Sequence, residues 1–175
     1  MPTGLSDLYK ISRTYFKEGQ HLALVGQAGT GKHELMQLSA ILNDIVILEI
    51  DVPCFGQPLQ FVTAFKNALK SAAKLNTPVV IQIAEAQLRD PVYFDYVFTY
   101  MQQVSRLEEC VLFDPQFREE LVAIEMQHMA KIKTVAMPPA EKLFLNAAAR
   151  VQQNTHVVFL FSDLMAYKEC FQLFP

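Results

Sequence analysis

The chain has 175 residues, of which 51% are hydrophobic, and a formal net charge of -3. This composition suits one folded domain and excludes an intrinsically disordered segment. Lysine and arginine residues form no cluster that would bind nucleic acid. No apolar run approaches the ~20 residues that cross a bilayer, and the first residues lack the pattern of a signal peptide. We therefore expect a cytoplasmic protein with no nucleic-acid or membrane partner.

Hydrophobic periodicity predicts four buried strands alternating with helices. In chain order, the pattern predicts a helix at 5–17, a strand at 21–25, a helix at 32–43, a strand at 45–50, a helix ending near 74, a strand at 79–84, helices at 91–107, 115–130 and 138–153, and a strand at 156–161. Apolar strands separated by helices indicate a mostly parallel sheet covered on both faces. A mixed α+β arrangement is the less favoured alternative.

The turn between the first strand and the second helix carries the most specific motif in the chain. Residues 26–32, GQAGTGK, match G-x-x-x-x-G-K and follow a buried strand directly. In this context the glycines let backbone N–H groups point inward at phosphate oxygens, and the helix adds the positive end of its dipole. Lys32 would reach the β- and γ-phosphates. The alternative is a glycine-rich turn with an incidental lysine.

One position of the phosphate loop departs from the motif. The residue after the lysine is usually Ser or Thr, whose hydroxyl binds Mg²⁺, but here it is His33. Imidazole is a poor ligand for a hard cation, so Mg²⁺ would be held weakly, by phosphates and water, or a cleaved nucleotide would bind without it. We include His33 among the nucleotide-contacting residues but expect its side chain to face solvent rather than to act in catalysis.

Polar residues also follow the third and fourth strands. Glu85 can orient a magnesium shell, as an acidic residue does in P-loop ATPases, or it is simply a surface residue. Ala86 stands where many such enzymes have a water-activating glutamate, and Gln87 could orient a water but cannot take its proton. Ser162 could sense the γ-phosphate or cap a following helix. We therefore expect no residue of this chain to catalyse nucleotide hydrolysis.

The sequence resembles the fourth AAA+ module of dynein heavy chains, in its axonemal form. The resemblance rests on four stretches in the family's order, at residues 19–40, 55–72, 79–97 and 154–175. It places Glu85 on the family's acidic position and Ser162 on a serine after the strand. The family often has glutamine in the Ser/Thr slot, which implies that a weak magnesium site is normal for it. The loop before Phe113 departs from the family pattern, so this is a divergent member.

The resemblance implies an AAA+ three-layer fold with a sheet in the order 5-1-4-3-2, followed by a helical lid. The chain supplies four strands, so we expect residues 1–175 to form a single large, nucleotide-binding subdomain that lacks the last strand and the lid. Such a unit would be a fragment of a larger ring. It would bind ATP or ADP, with Mg²⁺ held weakly.

The implied function is that of a nucleotide-binding module in a dynein-like microtubule motor with little or no hydrolysis of its own. Its partners would be neighbouring AAA+ modules, with the microtubule reached only through the parent motor, in the cytoskeleton or the axoneme of a cilium or flagellum. The alternatives are a scaffold that binds no nucleotide and, least favoured, a free-standing P-loop enzyme. The candidate nucleotide-contacting residues are Gly26, Gln27, Ala28, Gly29, Thr30, Gly31, Lys32, His33, Glu85 and Ser162, with Glu85 also the candidate metal residue.

Overall fold

A computed structural model describes residues 3–50, 52, 58–75, 77–88, 91–102, 112–131 and 138–162. In chain order these residues form α1 (Thr3–Tyr15), β1 (Leu22–Val25), α2 (Lys32–Leu42), β2 (Val46–Glu49), α3 (Pro58–Leu75), β3 (Val79–Ala84), α4 (Pro91–Gln102), α5 (Pro115–Lys131), α6 (Ala140–Asn154) and β4 (Thr155–Phe161). Each predicted helix and strand is present. The part of the predicted fourth helix after residue 102 lies outside the described residues.

The four strands form one fully parallel sheet in the order β1-β4-β3-β2. This order confirms the expected arrangement of the first four strands. Strand β4 lies between the other long strand, β3, and the strand that leads into the phosphate loop, β1. Within the described residues β1 pairs only with β4 and forms an edge. The expectation of a missing fifth strand and lid concerns residues beyond these and stays a prediction.

Helices cover both faces of the sheet. Successive strand side chains point to opposite sides, so each face has its own apolar layer for helices to pack on. On one face Val80 and Val158 pack with α1 and α2, through Ile11, Tyr15 and Met36. On the other face Ile81, Ile83, Val157, Phe159 and Phe161 join the larger core that α3, α4, α5 and α6 provide. The predicted three-layer α/β sandwich is therefore confirmed. No helix in the described part of the chain is long and apolar enough to cross a membrane.

Aromatic packing fixes the end of β4, next to the candidate site. Phe159 and Phe161 on β4 stack with ring centroids 5.7 Å apart. Phe94 of α4 stacks on both of them, at 6.2 and 6.1 Å. These three rings are almost completely buried, and aromatic pairs of this kind add to the stabilisation from burial. The end of β4, which precedes Ser162, therefore packs against a buried aromatic layer.

Two histidines, His156 buried and His21 partly buried, join the start of β1 to β4 at the opposite end of the sheet. Nδ1 of His21 accepts a hydrogen bond from the backbone N–H of Val157 at 3.1 Å, so this nitrogen carries no proton. Nδ1 of His156 donates to the carbonyl of Gln20 at 2.8 Å. Burial, with charge repulsion from His156 as the smaller cause, lowers the pKa of His21 from 6.5 to about 4. Burial also lowers the pKa of His156.

These contacts predict a loss of stability in mild acid. An unfolded histidine takes up a proton near pH 6.5, whereas folded His21 resists protonation until about pH 4, so its contribution is present above pH 6.5 and is lost as the pH falls toward 4. By pH 5 the lost contribution amounts to about 2 kcal/mol of unfolding free energy. His21→Asn keeps an acceptor for Val157 but does not titrate, so its stability should fall less between pH 7 and pH 5 in denaturant titrations. Equal losses in both proteins would contradict the assignment.

Candidate nucleotide-binding site

The loop after β1 has the backbone conformation that its glycines were predicted to provide. The N–H of Gly26 donates to the carbonyl of Phe161 at 3.2 Å, which extends the pairing of β1 with β4 up to the start of the loop. Gly29 and Gly31 then have φ angles of 79° and 76°, in the left-handed region that glycine adopts without steric strain. Helix α2 begins directly after Gly31, so its unpaired N–H groups open onto the loop.

Lys32 folds back over this loop. Its Nζ donates to the carbonyl oxygens of Gly26 at 2.5 Å and Gln27 at 2.8 Å, and lies 3.4 Å from Oγ1 of Thr30. The Thr30 hydroxyl donates to the same Gln27 carbonyl at 2.8 Å. The ammonium group therefore lies within the bend of the loop, where a phosphate would offer it charged oxygens in place of neutral carbonyls.

Space in this loop is tight around its first glycine. A Cβ atom added to Gly26 would lie 3.1 Å from Oγ1 of Thr30 and 3.7 Å from the side chain of Lys32. Even the Cβ of an alanine at position 26 would therefore force the Thr30 side chain to shift by a few tenths of an ångström, while it would only touch Lys32. The requirement for glycine here is one of close approach rather than of backbone angle.

The structure brings the two candidate residues at the strand tips into direct contact. Both the backbone N–H and the hydroxyl of Ser162 donate to Oε2 of Glu85, the former at 2.6 Å. This contact follows from the parallel register, in which Ala84 of β3 lies opposite Leu160 of β4. Two donors hold the carboxylate in one orientation at the carboxyl edge of the sheet, where it can orient water around a bound cation.

In the short 3₁₀ turn after β3, Glu85–Gln87, the two residues that follow Glu85 carry no group that could take a proton from water. The amide of Gln87 accepts a hydrogen bond from the N–H of Ala84 at 2.9 Å and donates to the carbonyl of Ile50. It ties the end of β3 to the end of β2, so the interpretation that Gln87 orients a water is wrong for this arrangement. Ala86 is exposed and carries only a methyl group.

His33 has partners that the sequence did not suggest. Its Nε2 hydrogen-bonds with the side-chain amide of Gln37 at 2.7 Å and lies 4.0 Å from Oε1 of Glu49. The histidine side chain is 40% exposed, so it faces solvent in part and also has these partners on α2 and β2. Glu49 was missed by sequence reasoning. Its place as the last residue of β2 was the available signal, because the carboxyl ends of parallel strands share one edge.

The space beside the loop is large enough for a nucleotide. A cavity of about 690 Å³, within the usual range for ligand sites, runs from the loop along β1 to α1. Its walls include Gly26, Thr30 and Lys32. For magnesium, the described residues contain no group of three or more His, Cys, Asp or Glu side chains placed to hold a cation. Glu85 is then the residue that would orient the water shell of a weakly held ion.

The sequence profile of the family described as "P-loop containing dynein motor region D4" matches residues 2–175. The chain belongs to this dynein family. It is 23% identical over 155 residues to "Dynein heavy chain, cytoplasmic" of Caenorhabditis elegans, which covers 89% of this chain and 3% of that protein. It is 26% identical over 174 residues to "Dynein-1-beta heavy chain, flagellar inner arm I1 complex" of Chlamydomonas reinhardtii, with coverage of 98% and 4%.

The family match confirms the predicted resemblance, and the low identities fit the predicted divergence. The chain is a dynein motor-region module with the fold of a P-loop nucleotide-binding domain. It spans only a few per cent of the length of the two relatives.

Proposed function

We propose that this module binds ATP or ADP in a dynein-like microtubule motor and hydrolyses it little or not at all. The observation that carries the proposal is the strand, loop and helix of residues 22–42, with Gly29 and Gly31 in left-handed conformations and Lys32 inside the loop. This arrangement presents backbone N–H groups, a helix N-terminus and an ammonium group to one anion.

Two further features support nucleotide as the ligand. Glu85 and Ser162 converge at the tips of β3 and β4, and β4 is the strand that pairs with β1, which carries the loop. The cavity beside the loop extends to α1 and leaves room for more than a phosphate group. The candidate contacts remain those that the sequence predicted, namely residues 26–33, Glu85 and Ser162.

The same site argues against turnover. General-base assistance typically contributes ~10²–10⁴-fold to a reaction, but the residue after Glu85 is alanine and Gln87 is engaged with the backbone. His33 replaces the hydroxyl that would hold magnesium. Binding without efficient hydrolysis would make the module structural or regulatory for the motor.

The relatives support a place for the module within a larger motor. Residues 1–175 would act as one large AAA+ subdomain within a ring, with neighbouring AAA+ modules as direct partners and the microtubule reached only through the parent motor. The relatives' names, one cytoplasmic and one flagellar, support a cytoplasmic or cytoskeletal location that includes the axoneme of a cilium or flagellum.

A scaffold that binds no nucleotide is the second candidate. The contacts of Lys32 support this candidate, because its ammonium group already donates to the carbonyls of Gly26 and Gln27. In this case the loop would be a stable turn that its own lysine holds closed.

Calorimetry with ADP and ATP separates the two candidates. Lys32→Ala should weaken binding about thirtyfold, or about 2 kcal/mol, because a charge-assisted contact with phosphate is lost. Lys74→Ala, at the exposed end of α3, removes the same charge away from the loop and should leave the affinity unchanged. If the wild type binds neither nucleotide at millimolar concentration, the scaffold is the correct function.

Steady-state phosphate release tests the second half of the proposal. The full chain should hydrolyse ATP negligibly, and Ala86→Glu alone should not restore efficient turnover, because His33 still replaces the magnesium hydroxyl. Lys32→Ala serves as the control for contaminating ATPases. A robust wild-type rate that disappears in Lys32→Ala would show that the site is catalytic.

A further inference from the structure

Large apolar side chains are exposed together on α1, on the residue that follows it, and on α2. Tyr9 is 69% exposed, Phe16 77% and Leu42 63%. The other large apolar side chains that the described residues expose are spread over β2 and α3 to α6. A contiguous apolar patch on the surface marks an interaction site. We name this surface the α1–α2 patch and define it as Leu5, Tyr9, Phe16, Leu38 and Leu42.

Helices α1 and α2 lie side by side and run in the same direction. Lys10 lines one cavity together with Leu35 in the first turn of α2. Oγ of Ser12 lies 3.1 Å from Oγ of Ser39 and accepts a hydrogen bond from Nδ2 of Asn43 at 3.0 Å, near the end of α2. By helical spacing, the α1 members of the patch share a face with Ser12, and the α2 members lie next to Ser39 and Asn43. The patch is therefore one continuous surface across both helices.

A basic stripe borders the patch on the α1 side. Lys10, Arg13 and Lys17 are exposed and are spaced three and four residues apart, so they follow one line along the helix. Arg13 comes four residues after Tyr9, which places the stripe directly beside the apolar side chains, on the flank that faces away from α2. A partner of this surface should therefore offer negative charge along that flank.

Acidic residues border the patch on the α2 side. Glu34 is exposed and comes four residues before Leu38, well away from Ser39 on the helix circumference. Asp44, also exposed, follows the end of α2 directly. The chain therefore carries opposite charges on the two borders of one apolar surface.

This charge pattern is complementary to itself. We propose that the α1–α2 patch binds a second copy of the chain and forms a two-fold symmetric dimer. A two-fold axis that lies in the interface and runs along the helices puts α1 of each copy over α2 of the other, at the same level along the helix. The basic stripe of one copy then faces the acidic border of its partner copy. Lys17 and Asp44 meet in this arrangement, because each follows the end of its helix.

The first test is sedimentation equilibrium of the full chain over a series of protein concentrations. The wild type should form a dimer, and Tyr9→Glu or Leu38→Glu should weaken dimerisation about a hundredfold, because each apolar contact is lost twice in a symmetric interface. Leu59→Glu is the matched control. Leu59 is 72% exposed at the start of α3, away from the patch, and its substitution should leave the dimer unchanged.

The second test reverses the basic stripe. Arg13→Glu combined with Lys17→Glu should weaken dimerisation about tenfold at low salt, and added NaCl should weaken the wild-type dimer but strengthen that of the variant. Lys131→Glu combined with Lys142→Glu changes the net charge equally on α5 and α6, where both lysines are exposed, and should have little effect. Equal weakening by the two double variants would overturn the proposed pairing.

A third measurement locates the interface without any substitution. Isotope-labelled and unlabelled chains are mixed and treated with a carbodiimide, which joins a lysine to a neighbouring carboxylate. The inference predicts a cross-link between Lys17 and Asp44 that joins a labelled chain to an unlabelled one. Mixed cross-links that arise only elsewhere in the chain would overturn it.

Each remaining outcome also decides the inference. A wild type that stays monomeric close to millimolar concentration overturns it and leaves the patch for a neighbouring module of the ring. A dimer that Tyr9→Glu and Leu38→Glu leave intact forms through another surface, such as the edge of β1, and overturns it as well. Nucleotide binding does not enter this inference, so calorimetry with ADP and ATP tests the proposed function separately.

Discussion

Parallel pairing of β4 with both β1 and β3 is the constraint on which the rest of this structure depends. Because all four strands run the same way, their carboxyl ends lie at one edge of the sheet. The phosphate loop, Glu85 and Ser162 come together there although they are far apart in sequence. The aromatic layer of Phe94, Phe159 and Phe161 packs β4 against α4.

Three polar side chains at this edge each have a partner within the protein. Lys32 contacts the loop carbonyls, Glu85 accepts from Ser162, and His33 lies beside Glu49. In the proposed complex Lys32 would exchange two carbonyl contacts for stronger charged ones with phosphate, and the loop is already folded around it.

The sequence predicted the framework well, because buried strands and a glycine-rich turn leave strong local patterns. Strand β3 was predicted at the residues observed, and the left-handed angles of Gly29 and Gly31 follow from the motif. The contact of Gln87 with Ile50 could not be predicted in this way, because it depends on the distance between the ends of two strands, which the register of β2 with β3 sets. Glu49 could have been found from its place at the end of β2, but its contact with His33 could not.

The central claim is that the loop of residues 26–32 is a phosphate site. A crystal structure of the chain grown with saturating ADP tests this claim most directly. The account predicts the diphosphate inside the loop, with Nζ of Lys32 moved from the carbonyls of Gly26 and Gln27 onto a phosphate oxygen. A structure in which Lys32 still donates to these carbonyls, with no ADP in the loop, would contradict it.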